Sequence, residues 1–105
     1  MYTVLTTESL DAWFERIRDR LARVRILARI KRLEQGLHGD CKHLGGHLQE
    51  LRIDHGPGYR LYFVRQNEEI IVLLCGGDKG SQQRDIDKAR ELAAVLLQRA
   101  PRRHS

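Results

Sequence analysis

The sequence predicts an α+β domain of order β-α-α-β-β-β-α, a small antiparallel-meander sheet packed against helices. Three observations predict it. Apolar residues recur at helical spacing from Leu10 to Leu33 and again from Ile86 to Leu97. Between those stretches they alternate, then run continuously as Ile70 to Cys75 (IIVLLC). Glycine- and proline-bearing turns separate the segments. A chain of 105 residues suits one domain, expected over residues 1–100, with a basic, disordered tail at 101–105.

Tyr2 to Leu5 (YTVL) is β-rich and forms the first strand. Thr7 caps the first helix, with Glu8 and Asp11 complementing its dipole. Leu10, Trp13, Phe14, Ile17 and Leu21 make one apolar face. The pattern restarts near Leu21: Ala22, Ile26, Ile30 and Leu33, joined by Leu27, form a second stripe that Gly36 ends. The two helices read as a hairpin packed with arginine and lysine outside. Leu37 to His47 reads as a loop. Leu48 to Asp54 alternates as a strand, Asp54 to Gly58 (DHGPG) turns, and Tyr59 to Arg65 alternates again. Gln66 to Glu69 turns into the IIVLLC strand, and Gly76 and Gly77 read as turn formers beyond it. A last helix spans roughly Gln82 to Arg99. The helices are expected on one face of the sheet.

Charge narrows the partners. The net charge is +5, and Arg16 to Arg32 holds eight Lys or Arg against the single acid Asp19. Such a block favours a polyanion, nucleic acid or an acidic protein segment. No segment approaches membrane-spanning length, and no signal peptide is evident. Cys41 and Cys75 form no CxxC and read as free thiols, which suits a reducing cytoplasm. His38, His43, His47 and His55 are irregularly spaced, so neither a metal nor another cofactor is expected.

Register makes the site. Leu51 and Ile53 must face the core, as must Tyr59, Leu61 and Phe63. A hairpin centred on Gly56 satisfies both, placing Leu51 opposite Leu61 and Ile53 opposite Tyr59. It also places Arg52 directly opposite Arg60, an unfavourable pair unless an anion sits over it. Tyr62 shares that face and offers a ring for stacking. A tight turn at Asn67-Glu68 places Cys75 near Arg60 and brings Lys79 towards the Gly56 end of the hairpin. Arg52, Arg60 and Lys79 therefore converge, with Lys42, His43 and His47 as a rim. Arginine forks match phosphate oxygens. Metal-independent RNA cleavage needs a base, cations and an acid. Arg60 suits charge stabilisation, Lys79 proton transfer, and His43 is the alternative acid.

The run ELRIDHGPGYRLYF followed by LLCGGDKGSQQRDIDKA resembles the RelE/ParE toxin superfamily, in its HigB-type addiction-module branch. The residues that carry the likeness are Glu50-Leu51-Arg52, Gly56 to Arg60, Gly76 to Lys79, Gln83 and Asp85-Ile86, with Trp13, Phe14 and the basic ARIKRLEQG helix. The resemblance covers nearly all the chain to Leu97. It implies a RelE/ParE-like fold and a cytoplasmic type II toxin. Its partner would be an adjacently encoded antitoxin, usually of helix-turn-helix type, with operator DNA met only through that complex. It implies a metal-independent mRNA interferase that works on the ribosome. Carried over by position, Arg60 is the phosphate-stabilising arginine and Arg52 and Lys79 its basic neighbours. Lys42, Tyr62, Arg23, Arg29, Lys31 and Arg32 are the candidate RNA contacts. Several mRNA-cutting relatives have a Tyr or His near the C-terminus; here nothing aromatic follows Phe63, and His104 lies in the tail. Other members of the superfamily poison DNA gyrase without cutting RNA, and that is the alternative reading.

Overall fold

A computed structural model describes residues 1–99. The side chain of Leu97, His104 and the tail at 101–105 lie outside the described residues. The order is β1 (Thr3–Thr6), α1 (Glu8–Glu15), α2 (Arg20–Glu34), β2 (Cys41–His43), β3 (Leu48–Ile53), β4 (Tyr59–Arg65), β5 (Ile70–Gly77) and α3 (Gln82–Arg99), with a 3₁₀ turn at Lys79–Ser81. The five strands lie in the order β1-β5-β4-β3-β2. β5, the continuous apolar run, is central: it pairs antiparallel with β4 and parallel with β1.

Thr7 caps α1 as expected. Its hydroxyl accepts from the Leu10 amide at 3.1 Å and donates to the Leu74 carbonyl at 2.5 Å, which ties the helix start to β5. Gly36, at φ 82°, closes α2 in a Schellman turn, with Leu37 N–H on the Arg32 carbonyl and Gly36 N–H on that of Leu33.

Helices cover both faces of the sheet, where the sequence suggested one. Leu51, Ile53, Leu61, Phe63, Ile71 and Leu73 pack under α1 and α2 with Leu10, Ala22, Ile26 and Leu33. Leu48, Tyr62, Val64, Val72 and Leu74 form a second core under Ala89 of α3. α1 rests on β5 and α2 on β1 and β3, so the pair is docked on the sheet and is no free-standing hairpin. The break at residues 16–19 turns α2 so that Ala22, Ile26 and Leu33 are wholly buried. Leu21 and Leu27, expected in the stripes, are 51% and 53% exposed instead. The segment read as a loop contains β2, a short edge strand paired with β3.

The hairpin register is the expected one: Leu51 opposes Leu61, Arg52 opposes Arg60 and Ile53 opposes Tyr59. The next pairing differs. A bulge at Tyr62/Phe63 leaves Leu74 as the extra residue, so Cys75 opposes Tyr62 and Gly77 opposes Arg60. The bulge also explains why IIVLLC does not alternate: Leu73 enters one core while Leu74 and Cys75 both enter the other.

Gly76 and Gly77 are strand residues, where the sequence suggested a turn. Neither has a positive φ. Both are small for want of space. A Cβ on Gly76 would overlap the Trp13 ring, and one on Gly77 would overlap the Asp85 carboxylate.

Candidate functional site

On the α3 face the second core gives way to charge. α3 begins only at Gln82, so the last registers of β3 and β4 extend past it. Strand alternation puts Glu50, Arg52 and Arg60 on this face. The Glu50 side chain is fully buried, while those of Arg52 and Arg60 are 37% and 12% exposed.

The anion that the opposed arginines require belongs to the chain itself. Glu50 Oε1 accepts from Arg52 Nε at 3.0 Å and lies 3.8 Å from Arg60 Nη1. Its other oxygen accepts from Gln82 Nε2 at 2.9 Å, so the first residue of α3 pins the carboxylate. Burial alone would raise the Glu50 pKa. The hydrogen bonds from Gln82 and Arg52, and the charge of Arg60, outweigh burial and hold the carboxyl below its ordinary value. Sequence reasoning overlooked both Glu50 and Gln82 as members of the site. For Glu50 the signal was present: it sits two residues before Arg52, hence on the same face.

Tyr62 is corrected. It is wholly buried and offers no ring for stacking. Among the described residues its hydroxyl has no hydrogen-bond partner. Burial first, and then the Glu50 charge, push the phenol well above its ordinary pKa. Arg60 Nε is likewise buried without a partner among the described residues. An unsatisfied buried donor costs about 1–3 kcal/mol, so two of them gather where two like charges already oppose.

Lys79 arrives as expected. It starts the 3₁₀ turn after β5, is exposed, and its amide donates to the Pro57 carbonyl at 3.4 Å. That contact seats it on the β3–β4 turn. Lys42 is exposed on β2 opposite Glu50, on the same face as the arginines.

His43 does not join them. It opposes Gln49, on the other face of the sheet, and its Nε2 lies 3.0 Å from the Gly46 carbonyl. With His47 it lines a separate cavity against Arg65 to Glu68, at the opposite end of the strands. The alternative acid is therefore out of reach of Arg60.

The basic helix divides. Arg23 lies over the Phe14 ring at 4.7 Å and donates to the Ile17 carbonyl. Arg29 donates to the carbonyls of Arg52, at 2.6 Å, and His38. Both residues are half-buried, and each guanidinium is tied to a backbone carbonyl of its own chain. Lys31 and Arg32 are exposed in the last turn of α2.

A cleft of about 390 Å³ adjoins the patch, with Gly77 common to its wall and to the Arg60 pairing. Trp13, Ser81 and Asp85 line it, and Arg16, Arg84 and Lys88 add positive charge. The Ser81 hydroxyl donates to the Asp85 carboxylate. Another cavity, of about 450 Å³, lies at the far end between α3 and Leu48, Val64 and Arg65 and is lined by none of the patch residues. Burial pushes the Cys75 thiol up to about 12, so it is no nucleophile at neutral pH.

Comparison with known proteins adds three findings. The family model described as phage-derived protein Gp49-like (DUF891) matches residues 12–96. An uncharacterised protein of Haemophilus influenzae is 45% identical over 93 residues, covering 89% of this chain and 94% of that one. Among solved structures, a chain of the intact E. coli RelBE toxin-antitoxin complex superposes with a TM-score of 0.61 at 13% identity, over 74% of this chain and 96% of that chain. The fold is RelE-like.

Proposed function

Because the chain belongs to the Gp49-like family of phage-derived proteins, we propose that it is the toxin of a type II toxin–antitoxin pair. Its proposed activity is that of a HigB-type mRNA interferase: metal-independent cleavage of mRNA on the translating ribosome. The likeness to a chain of a toxin–antitoxin complex supports the toxin reading. An antitoxin encoded beside it is the expected partner. The observation that carries the chemistry is the Arg52–Arg60 pair, opposed across the hairpin with Lys79 at the same corner.

In this reading the RNA 2′-oxygen attacks the adjacent phosphorus after giving up its proton. A cyclic phosphate forms, and the bond to the 5′-oxygen breaks as that oxygen takes a proton. Arg60 stabilises the charge that gathers on the phosphoryl oxygens, and Arg52 anchors the strand. Lys79, exposed at the rim, donates the proton that the 5′-oxygen takes, and solvent water takes the one that the 2′-hydroxyl gives up. Lys42 supplies a backbone contact. Glu50 is a positioning residue: it fixes both guanidiniums before substrate arrives, so little reorganisation is left to the reaction.

The test is induction in bacteria of wild type beside Arg60→Ala, with primer extension on a translated reporter. New ends inside the reading frame with wild type, falling at least about 100-fold in the variant, are expected. Growth arrest without cuts, accompanied by a DNA-damage response, would replace the interferase by a gyrase inhibitor.

A further inference from the structure

The outer face of α2 is built the wrong way round for a solvated helix. Ala22, Ile26 and Leu33 face the core. On the opposite side Leu21, Val24 and Leu27 are 51%, 61% and 53% exposed, with Ala28 beside them. These positions recur every three or four residues and form one stripe. Arg20 and Arg25 flank it, Lys31 and Arg32 follow it, and all four are exposed. Among the described residues, no Lys or Arg of α2 forms an ion pair. Exposed apolar residues gathered in one stripe, with cations around them that form no ion pair, are the kind of surface on which a protein partner docks.

We propose that this face receives an acidic amphipathic helix of a partner protein, and that in the toxin–antitoxin reading, on which this rests, the helix belongs to the antitoxin. Charge complementarity selects the occupant. Partner carboxylates would meet the flanking arginines while its apolar residues cover Leu21, Val24 and Leu27. A second copy is disfavoured, since α2 against α2 opposes arginine to arginine. The chain's own acidic helix, α1, exposes Glu8, Asp11, Ala12 and Glu15 but no large apolar residue to fill the stripe. A phosphate backbone would engage the arginines and leave the stripe wet. A bilayer would use the stripe, yet the face carries no aromatic anchor.

Two variants test it. One replaces Leu21, Val24 and Leu27 by serine, and the other carries Arg20→Glu with Arg25→Glu. Each is checked for an unchanged circular-dichroism spectrum and melting curve, and for intact growth arrest. Binding to the protein encoded beside this chain is measured by calorimetry, with anionic phosphatidylglycerol vesicles as the second probe. The expected result is that the serine variant binds the neighbour at least about 30-fold more weakly. The charge variant should weaken too, with a flatter salt dependence. Both variants would then arrest growth even when the neighbour is co-expressed. Wild-type affinity in both variants overturns the surface and leaves the toxin reading standing. Vesicle binding that the serine variant loses overturns it in favour of a membrane. Growth arrest by wild type that no adjacently encoded protein relieves overturns the surface together with the reading beneath it.

Discussion

A single carboxylate decides how the two central arginines sit. Glu50 bridges Arg52 and Arg60 and is itself held by Gln82. Removing one partner of a buried charge cluster leaves the others uncompensated, so Glu50→Ala should cost about 3 kcal/mol and weaken growth arrest. Glu50→Gln keeps the shape and loses the charge. The folded carboxyl binds its proton less tightly than the ordinary glutamate value of 4.5. Its stabilisation is therefore complete above about pH 4.5 and is lost as pH falls through the lower folded value. Urea unfolding of wild type and Glu50→Gln across pH 3 to 6 should show a shallower acid loss in the variant, the rest coming from Asp19. Equal slopes would mean that the carboxylate is not coupled to folding. Alternation alone placed Arg52 and Arg60 together. The same alternation put Glu50 on their face, but that it is buried and held by Gln82 depends on α3, which the strand pattern does not place.

Each element stands where a short local signal and a distant partner agree. Thr7 is legible as a cap, but its second bond, to the Leu74 carbonyl, is tertiary. Thr7→Ala should therefore cost about 1–2 kcal/mol, the upper part of the capping range, while Thr7→Ser should recover most of it. Equal loss in both would point to the methyl group instead of the hydroxyl. The start of α2 was less legible, since Asp19 looked like a lone acid in a basic run. It accepts from the amides of Leu21 and Ala22, and the hydrogen bond from His55 is the largest influence lowering its pKa. From that cap α2 runs with Ala22, Ile26 and Leu33 in the core and Leu21 and Leu27 exposed. Periodicity could not reveal this, because both sides of the helix carry apolar residues at helical spacing. β2 was missed for a related reason: three residues with no period of their own become a strand only through pairing with β3.

At the scale of the molecule, the fold class and the β3–β4 register could be read because alternating strands joined by a tight turn leave one solution. The position of β1, the bulge at Leu74 and the second core could not, since a continuous apolar run fits either face and either neighbour. The most distant of these relations is the parallel pairing of β1 with β5, backed by the Thr7–Leu74 bond across 67 residues. Such a distant pairing raises the contact order of the chain. Fragments ending at residue 69 lack β5 and should give a coil-like circular-dichroism spectrum and no growth arrest. A folded, arresting fragment of that length would show that the central strand is dispensable. The same arrangement governs timing during synthesis. The first strand leaves the ribosome with nothing to pair with, and Gln82, which fastens Glu50, is made after all five strands. The carboxylate that joins the arginine pair therefore cannot be fastened until the chain has grown past its sheet, and a chain that stops short of Gln82 lacks that clasp.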